Sequence, residues 1–257
     1  DVAQPAILTA SIAALRALTE AAGRFPPVRA AAGLSLGEYS ALVAAGALAF
    51  PEAVRLVRRR GAYMQEACES NPGGMYSILG LEDEIVEEAC SIVDGPVWPA
   101  NYNCPGQLVI SGEHEPAREA AALCQARGAR RVIRLDVAGA YHTPLMAPAA
   151  QKMRQALDEA KIQRPRYPVV ANVTGRPVDE PDEIRALLVR QITSPVRWAD
   201  AMRWTARQGV SRFYELGPGR VLRGLLGRID RELSCETINR PEGIQQVIHN
   251  WQKGEAP

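Results

Sequence analysis

VRAAAGLSLGEYSALVA, residues 28–44, decides the fold of this chain. At its centre is a G-x-S-x-G pentapeptide around Ser35, between a possible buried strand at 28–33 and an apolar run at 36–47 that predicts a helix. Strand, tight turn and helix in this order form the context of a nucleophile elbow, in which flanking glycines let the serine Oγ project. The N-terminus of the helix would stabilise an oxyanion there. The pattern predicts a nucleophilic Ser35, although a plain strand–helix turn can carry the same pentapeptide.

A nucleophilic serine needs a base, and the chain contains three histidines. His114 begins a predicted helix and is expected to be a solvated first-turn residue. His249 lies near the C-terminus on a polar helix face and is expected to be exposed. His142 follows a predicted strand, and ligands of open α/β sheets bind at the carboxyl ends of strands. His142 is therefore the candidate base.

The segment 72–136 differs in pattern from the rest of the chain. Its order β-α-β-β-α-β is that of a ferredoxin-like unit. We expect a small domain at 72–136 inserted into a large domain built from 1–71 and 137–257. The predicted strands are 74–79, 97–103, 107–112 and 130–136, and the predicted helices are 82–93 and 114–127.

Strands alternate with helices in the large domain, and this alternation predicts an α/β fold with a mostly parallel sheet. A first helix is expected over 3–22, and a second opens at Pro51. The later predictions are helices at 143–160, 182–192, 197–208, 220–231 and 241–252, with strands at 168–172 and 211–216.

Composition excludes several classes of function. Lys and Arg number 30 against 29 Asp and Glu, which gives a net charge of +1. This near-balance, without any long basic run, argues against nucleic acid or an anionic membrane as the main partner. No stretch approaches the roughly 18 apolar residues of a membrane span, and no export signal is visible. The 5 scattered cysteines lack a C-x-x-C pair, which favours a reducing, cytoplasmic location over a disulfide framework or zinc site.

Six segments of the chain together form a specific pattern: GLSLGEYSALVAAGAL, RRRGAYMQEA, NYNCPGQLVISG, GAYHTPLMAPAA, VRQITSPVRW and YELGPGRVLRGL. In these segments, which follow one another in order over nearly the whole chain, the sequence resembles the malonyl-CoA:acyl carrier protein transacylase family, acyltransferases of fatty-acid biosynthesis that also occur as domains of polyketide synthases. The resemblance implies an α/β-hydrolase-like large domain with an inserted ferredoxin-like small domain, malonyl-CoA and acyl carrier protein as partners, and no cofactor or metal. We expect a free-standing monomer.

The resemblance implies a role for each of several residues. Ser35 would carry the malonyl group as an ester, and His142 would act as base and acid. The backbone carbonyl of Gln191 would orient His142 in place of an acidic residue. The backbone N–H of Leu36 would donate to the oxyanion. Arg60 would bind the malonyl carboxylate, since a guanidinium offers it two parallel hydrogen bonds.

Three further positions follow from the resemblance. Tyr141 matches an aromatic position associated with malonyl rather than methylmalonyl selection, where one methyl is worth about 1–3 kcal/mol. Asn101 and Asn103 match a small-domain strand that faces the cleft. For the neighbouring Arg58 and Arg59, a solvated helix face is the expected role.

The chain departs from the family pattern at two places. Leu34 replaces the usual histidine before the nucleophile, which makes the cleft wall more apolar. No G-Q-G-S-Q-like segment, which supplies a glutamine oxyanion donor in the family, precedes Ser35. Loss of one such donor costs about 10²–10³ in rate, so we expect an active full-length parent and an impaired chain as written.

Two other functions stay open at this point. A serine thioesterase or carboxylesterase would use Ser35 with water as acceptor, and would favour His249 as base over His142. A truncated module could instead bind a carrier protein without turnover.

Overall fold

The computed structural model describes residues 2–252. The helices of this range are α1 (Ala3–Ala22), α2 (Gly37–Ala44), α3 (Phe50–Ser70), α4 (Asp83–Ile92), α5 (His114–Ala126), α6 (Ala147–Asp158), α7 (Pro181–Gln191), α8 (Trp198–Arg207), α9 (Val221–Ile229) and α10 (Pro241–Gln252). The strands are β1 (Ala31–Ala32), β2 (Gly73–Leu79), β3 (Val97–Cys104), β4 (Gln107–Glu113), β5 (Arg131–Arg134), β6 (Val169–Ala171), β7 (Arg176–Val178), β8 (Arg212–Leu216) and β9 (Ser234–Ile238).

The segment between α3 and α6 forms a four-stranded antiparallel sheet in the order β3-β4-β2-β5. Its two helices, α4 and α5, pack on one face and bury a separate apolar cluster that includes Ile78, Val86, Ile110 and Cys124. The chain order β2-α4-β3-β4-α5-β5 is the one predicted from the sequence. Each strand lies within two residues of its predicted bounds at both ends.

The remaining described strand pairs are mostly parallel, as expected, but they form two sheets rather than one. Within the described residues, β1 pairs parallel to β6 and β6 pairs antiparallel to β7, while β8 and β9 form a separate parallel pair. The strand β7 runs antiparallel because only residues 172–175 separate it from β6, which is too short for a crossover connection. A turn at Gly175, with φ of 62°, closes this hairpin.

The sequence analysis did not predict β7 or β9, and it predicted a longer β1 than the structure contains. Both missed strands are short, and two of the three residues of β7 are exposed, so neither shows an apolar run. The predicted strand at 28–33 is reduced to Ala31–Ala32, since the tight turn begins at Gly33. The predicted helix at 143–160 begins as a 3₁₀ turn, Pro144–Met146, before α6.

The main apolar core joins α1, α2, α3, α6 and α7 around β1 and β6. In α3 the buried positions recur every three or four residues, as in an amphipathic helix. Arg60 lies on that buried stripe, whereas Arg58 and Arg59 are exposed. Among residues 2–252, no helix has the length and apolar character needed to span a membrane.

Candidate active site

The pentapeptide at residues 33–37 forms a sharp turn between β1 and α2. Ser35 has a φ of 52°, a left-handed conformation that is uncommon for any residue other than glycine. Gly33 is required by a close approach, because a Cβ there would overlap the backbone of Gly37. At Gly37 itself no atom lies within 4 Å of such a Cβ, so this second glycine is not required sterically.

The Oγ of Ser35 lies 2.9 Å from Nε2 of His142. On the other side of the ring, Nδ1 donates to the backbone carbonyl of Gln191 over 2.8 Å. A carbonyl only accepts, so the proton of the neutral ring is on Nδ1, and Nε2 is free to accept the serine proton. The histidine is itself in a left-handed conformation, with φ of 61°.

His142 is buried, and its surroundings disfavour a positive charge on the ring. Burial, reinforced by the nearby charge of Arg60, lowers the pKa of His142 to about 4. The ring is therefore neutral at physiological pH, which is the state required of a base.

Arg60 reaches the same oxygen from α3. Its Nη2 donates to Ser35 Oγ over 2.9 Å and to Gln191 Oε1 over 3.0 Å, and its Nη1 donates to Gln4 Oε1 over 2.7 Å. Only 2% of Arg60 is exposed. Burial lowers its pKa, although a guanidinium stays protonated in proteins. Among the described residues, no carboxylate forms an ion pair with Arg60, and its hydrogen-bond acceptors are neutral, although the nearby charge of Glu38 favours the protonated guanidinium.

Sequence reasoning missed three residues of this site, together with the side chain of Gln191. Asn172 Oδ1 accepts the Ser35 N–H over 2.6 Å, and its Nδ2 donates to the Gly33 carbonyl over 2.8 Å. Asn172 follows β6 directly, and its place at the carboxyl end of a strand was a usable signal. Gln4, on the first turn of α1, and the buried Glu38 carried no such signal.

Leu36 is the residue immediately before α2, and its backbone N–H lies at the N-terminus of that helix. Amides of the following residues already donate inside the turn, from Gly37 to Leu34 and from Glu38 to Ser35, whereas the described contacts include no acceptor for the Leu36 N–H. This N–H is therefore available to a bound ligand. Leu34, the replacement for the usual histidine, packs at the edge of an apolar cluster of β6 and α8.

Tyr141, next to His142, connects the two parts of the molecule. It is half-buried and packs both on the main core and on Met75, Ala100 and Val109 of the four-stranded sheet. Burial raises the pKa of its hydroxyl to about 12, so the ring remains neutral.

Asn101 and Asn103 are buried on β3, where the Asn101 backbone bridges to Val196 of the large part. Within residues 2–252, no hydrogen bond joins either asparagine to Ser35, His142 or Arg60. The Oδ1 atom of Asn103 has no hydrogen-bond partner among them.

Comparison with known proteins places this geometry in a family. Residues 1–228 match the acyl transferase domain. This chain belongs to the acyl transferase family. It is 43% identical over 247 residues to the malonyl CoA-acyl carrier protein transacylase of Salmonella typhimurium, covering 95% of this chain and 79% of the relative. The protein of that name from Bacillus subtilis is 43% identical over 249 residues, covering 96% of this chain and 78% of the relative.

Solved structures agree with this assignment. The malonyl CoA-acyl carrier protein transacylase of Coxiella burnetii superposes with a TM-score of 0.92 at 41% identity, covering 96% of this chain and 78% of that chain. A malonyl-transacylase in complex with its type II polyketide acyl-carrier protein gives a TM-score of 0.92 at 43% identity, covering 96% and 80% of the two chains. This acyl transferase therefore has the mixed α/β fold of those enzymes.

The two glycines of the elbow should respond differently to alanine. We expect Gly33→Ala to lower the free energy of unfolding by about 1–3 kcal/mol, because its Cβ overlaps the Gly37 backbone. Gly37→Ala should keep or raise that free energy, since alanine is favoured over glycine in a helix by about 1 kcal/mol. Urea denaturation followed by circular dichroism measures both. Equal losses in the two variants would contradict the steric argument.

Reactivity of Ser35 should persist in mildly acidic solution. Protonated His142 cannot accept the serine proton. Because its pKa is lowered from 6.5 to about 4, reactivity should be lost only near pH 4. We expect the rate of Ser35 modification by the uncharged reagent phenylmethanesulfonyl fluoride to change little from pH 8 to 5 and to fall towards pH 4.

Glu38 is a second titrating group near Ser35, because burial raises its pKa to about 7. Measuring the pH profile of Ser35 modification in Glu38→Gln removes this titration and leaves that of His142. A midpoint near 6.5 in that variant, with circular dichroism unchanged, would contradict a neutral, buried base.

Proposed function

We propose that this chain transfers a malonyl group from malonyl-CoA to the phosphopantetheine thiol of acyl carrier protein, in fatty-acid biosynthesis. The observation that carries the proposal is the buried Arg60 guanidinium beside Ser35 Oγ, whose hydrogen-bond partners are all neutral. Glu38 attracts the guanidinium without forming an ion pair with it, and a buried charge that lacks a paired carboxylate is costly. The carboxylate of a malonyl group would supply that pair at the distance at which its thioester meets the serine.

In the first half-reaction, His142 Nε2 accepts the Ser35 proton as Oγ attacks the thioester carbonyl. The tetrahedral oxyanion would be stabilised by the Leu36 N–H and the N-terminus of α2. The intermediate collapses with cleavage of the carbon–sulfur bond, and the departing coenzyme A thiolate takes the proton from His142. Malonyl-Ser35 and free coenzyme A result.

In the second half-reaction, His142 takes the proton of the carrier thiol, and the thiolate attacks the malonyl ester. Cleavage of the ester bond returns the proton to Ser35 Oγ and leaves malonyl on the carrier. The Gln191 carbonyl supports both halves, because it holds the Nδ1 proton and stabilises the imidazolium that forms. The chain's own groups handle every proton, so the proposal includes no metal or cofactor, and coenzyme A enters only with the substrate.

We also propose the domain arrangement that the family resemblance implies. Residues 1–71 and 137–257 would form an α/β-hydrolase-like large domain, with a ferredoxin-like small domain at 72–136. The strand order β3-β4-β2-β5 and the two helices on one face support the small domain. Tyr141 would border the acyl pocket between them and limit an added methyl group. Asn101 and Asn103 would face that cleft from β3. A reducing, cytoplasmic location is supported by the odd, scattered cysteines.

Intact-mass spectrometry after brief exposure to malonyl-CoA tests the proposed chemistry. We expect a malonyl increment on the wild-type chain that disappears in Ser35→Ala. In Arg60→Ala the malonyl increment should fall by about 10-fold or more relative to acetyl, since a charged hydrogen-bond pair is lost. Arg59→Ala is the matched control, because Arg59 is exposed on the same helix. A folded wild-type chain that gains no increment would contradict the proposal and favour a binding role.

Two further arms separate transfer from hydrolysis. His142→Ala should abolish loading, whereas His249→Ala should leave it unchanged because His249 is exposed on α10. Added acyl carrier protein should discharge malonyl-Ser35 onto its thiol faster than water does. Discharge to free malonate at an unchanged rate with and without carrier would favour a thioesterase.

A further inference from the structure

The proposed transfer steps make no use of Glu38, although it is buried beside the nucleophile. Glu38 lies on the first turn of α2, and only 2% of it is exposed. Its Oε2 accepts the backbone N–H of Asn172 over 3.1 Å and the side-chain amide of Gln191 over 2.7 Å. A carboxylate in such a position is costly to desolvate unless its hydrogen bonds are formed.

These contacts fix the orientation of the Gln191 side chain. Its Nε2 donates both to Glu38 Oε2 and to the Ser35 carbonyl, the latter over 2.9 Å. Both of these partners act as acceptors, so the nitrogen has to face them. The amide oxygen is consequently turned to the opposite side, where it accepts from Arg60 Nη2 over 3.0 Å.

The amide oxygen of Gln191 therefore holds the Arg60 guanidinium in place. Because the guanidinium is planar, a hydrogen bond that fixes Nη2 also fixes the directions of its other N–H donors. The same Nη2 donates to Ser35 Oγ. No hydrogen bond among the described contacts joins Glu38 to Arg60. Besides the attraction between their opposite charges, Glu38 acts on the Arg60 guanidinium through the Gln191 amide.

We infer that Glu38 is a positioning residue for recognition of the acyl group. It fixes the Gln191 amide, which aims Arg60 at the carboxylate of the bound acyl group. The inference rests on the proposed malonyl transfer and extends it, because it assigns the preference for carboxylated acyl groups to Glu38 and the Gln191 side chain as well as to Arg60. Loss of Glu38 should therefore lower malonyl selection more than acyl transfer in general.

Asn172 provides the contrast within the same network. It binds the Gly33 carbonyl and the Ser35 N–H, and so holds the backbone of the elbow rather than the guanidinium. We expect Asn172→Ala to lower loading of Ser35 by malonyl-CoA and by acetyl-CoA to a similar extent.

The test compares kcat/KM for loading of Ser35 from malonyl-CoA and from acetyl-CoA, each followed by intact mass. In Glu38→Met we expect the malonyl-to-acetyl ratio to fall by about 10-fold or more, as for loss of a hydrogen bond to a charged group. Glu38→Gln should keep the ratio within about threefold, because its amide oxygen can accept both bonds. Gln191→Met, which retains the backbone carbonyl that orients His142, should lower the ratio as Glu38→Met does.

A double-mutant cycle with Arg60→Ala provides the sharpest readout. If Glu38 acts through Arg60, Glu38→Met should change the ratio in the wild-type background and leave it unaltered in the Arg60→Ala background. A purely structural role would lower both loading rates equally and would leave the ratio unchanged in either background. That result in a folded Glu38→Met overturns the inference. If Glu38→Met does not fold, an unchanged ratio in Gln191→Met overturns it.

The wild-type chain separates this inference from the proposed function. If the folded wild-type chain gains no malonyl, the proposed function fails. A second outcome is malonyl loading that depends on Arg60, with a malonyl-to-acetyl ratio in Glu38→Met and Gln191→Met equal to that of the wild type. This outcome supports the proposed function and contradicts only the inference about Glu38.

Discussion

The left-handed backbone of Ser35 is the constraint on which the rest of the site depends. A non-glycine residue in that region costs on the order of 1–3 kcal/mol and persists only where its surroundings determine it. Here the Ser35 N–H is bound by Asn172 and the Ser35 carbonyl by Gln191, so both polar groups of one strained residue are satisfied from elsewhere in the chain. The Oγ is therefore held towards His142 without help from a ligand.

The second constraint is the burial of a positive charge. Arg60 occupies a core position on α3 that would ordinarily be apolar, and its partners there are neutral oxygens, a serine hydroxyl and the ring of Tyr39. Such an arrangement reduces stability in the free protein and increases affinity for an anion. The Arg60 charge also lowers the pKa of His142, so the guanidinium helps to keep the ring neutral.

The two parts of the chain meet at the residues that flank the base. Tyr141 packs on both of them, and the β3 backbone is hydrogen-bonded to Val196, which follows α7. Gln191 ends α7 and binds His142, Ser35, Arg60 and Glu38. The end of α7 thus links Ser35, His142 and the Arg60 guanidinium, because one glutamine binds them through its backbone carbonyl and its side chain at once.

The sequence by itself determined most helices and strands, and it indicated a nucleophilic serine with a histidine base. Periodicity located α1 and the β-α-β-β-α-β segment, and the pentapeptide at residues 33–37 indicated the nucleophile, because these signals are local. The tertiary structure alone decided the pairing of β6 with β1 and β7, the contact of Gln4 with Arg60, and the hydrogen bonds of Glu38 to Asn172 and Gln191. A buried glutamate on an otherwise apolar helix has no distinguishing spacing. Its partners lie more than 130 residues away along the chain, and only folding brings them within hydrogen-bond distance.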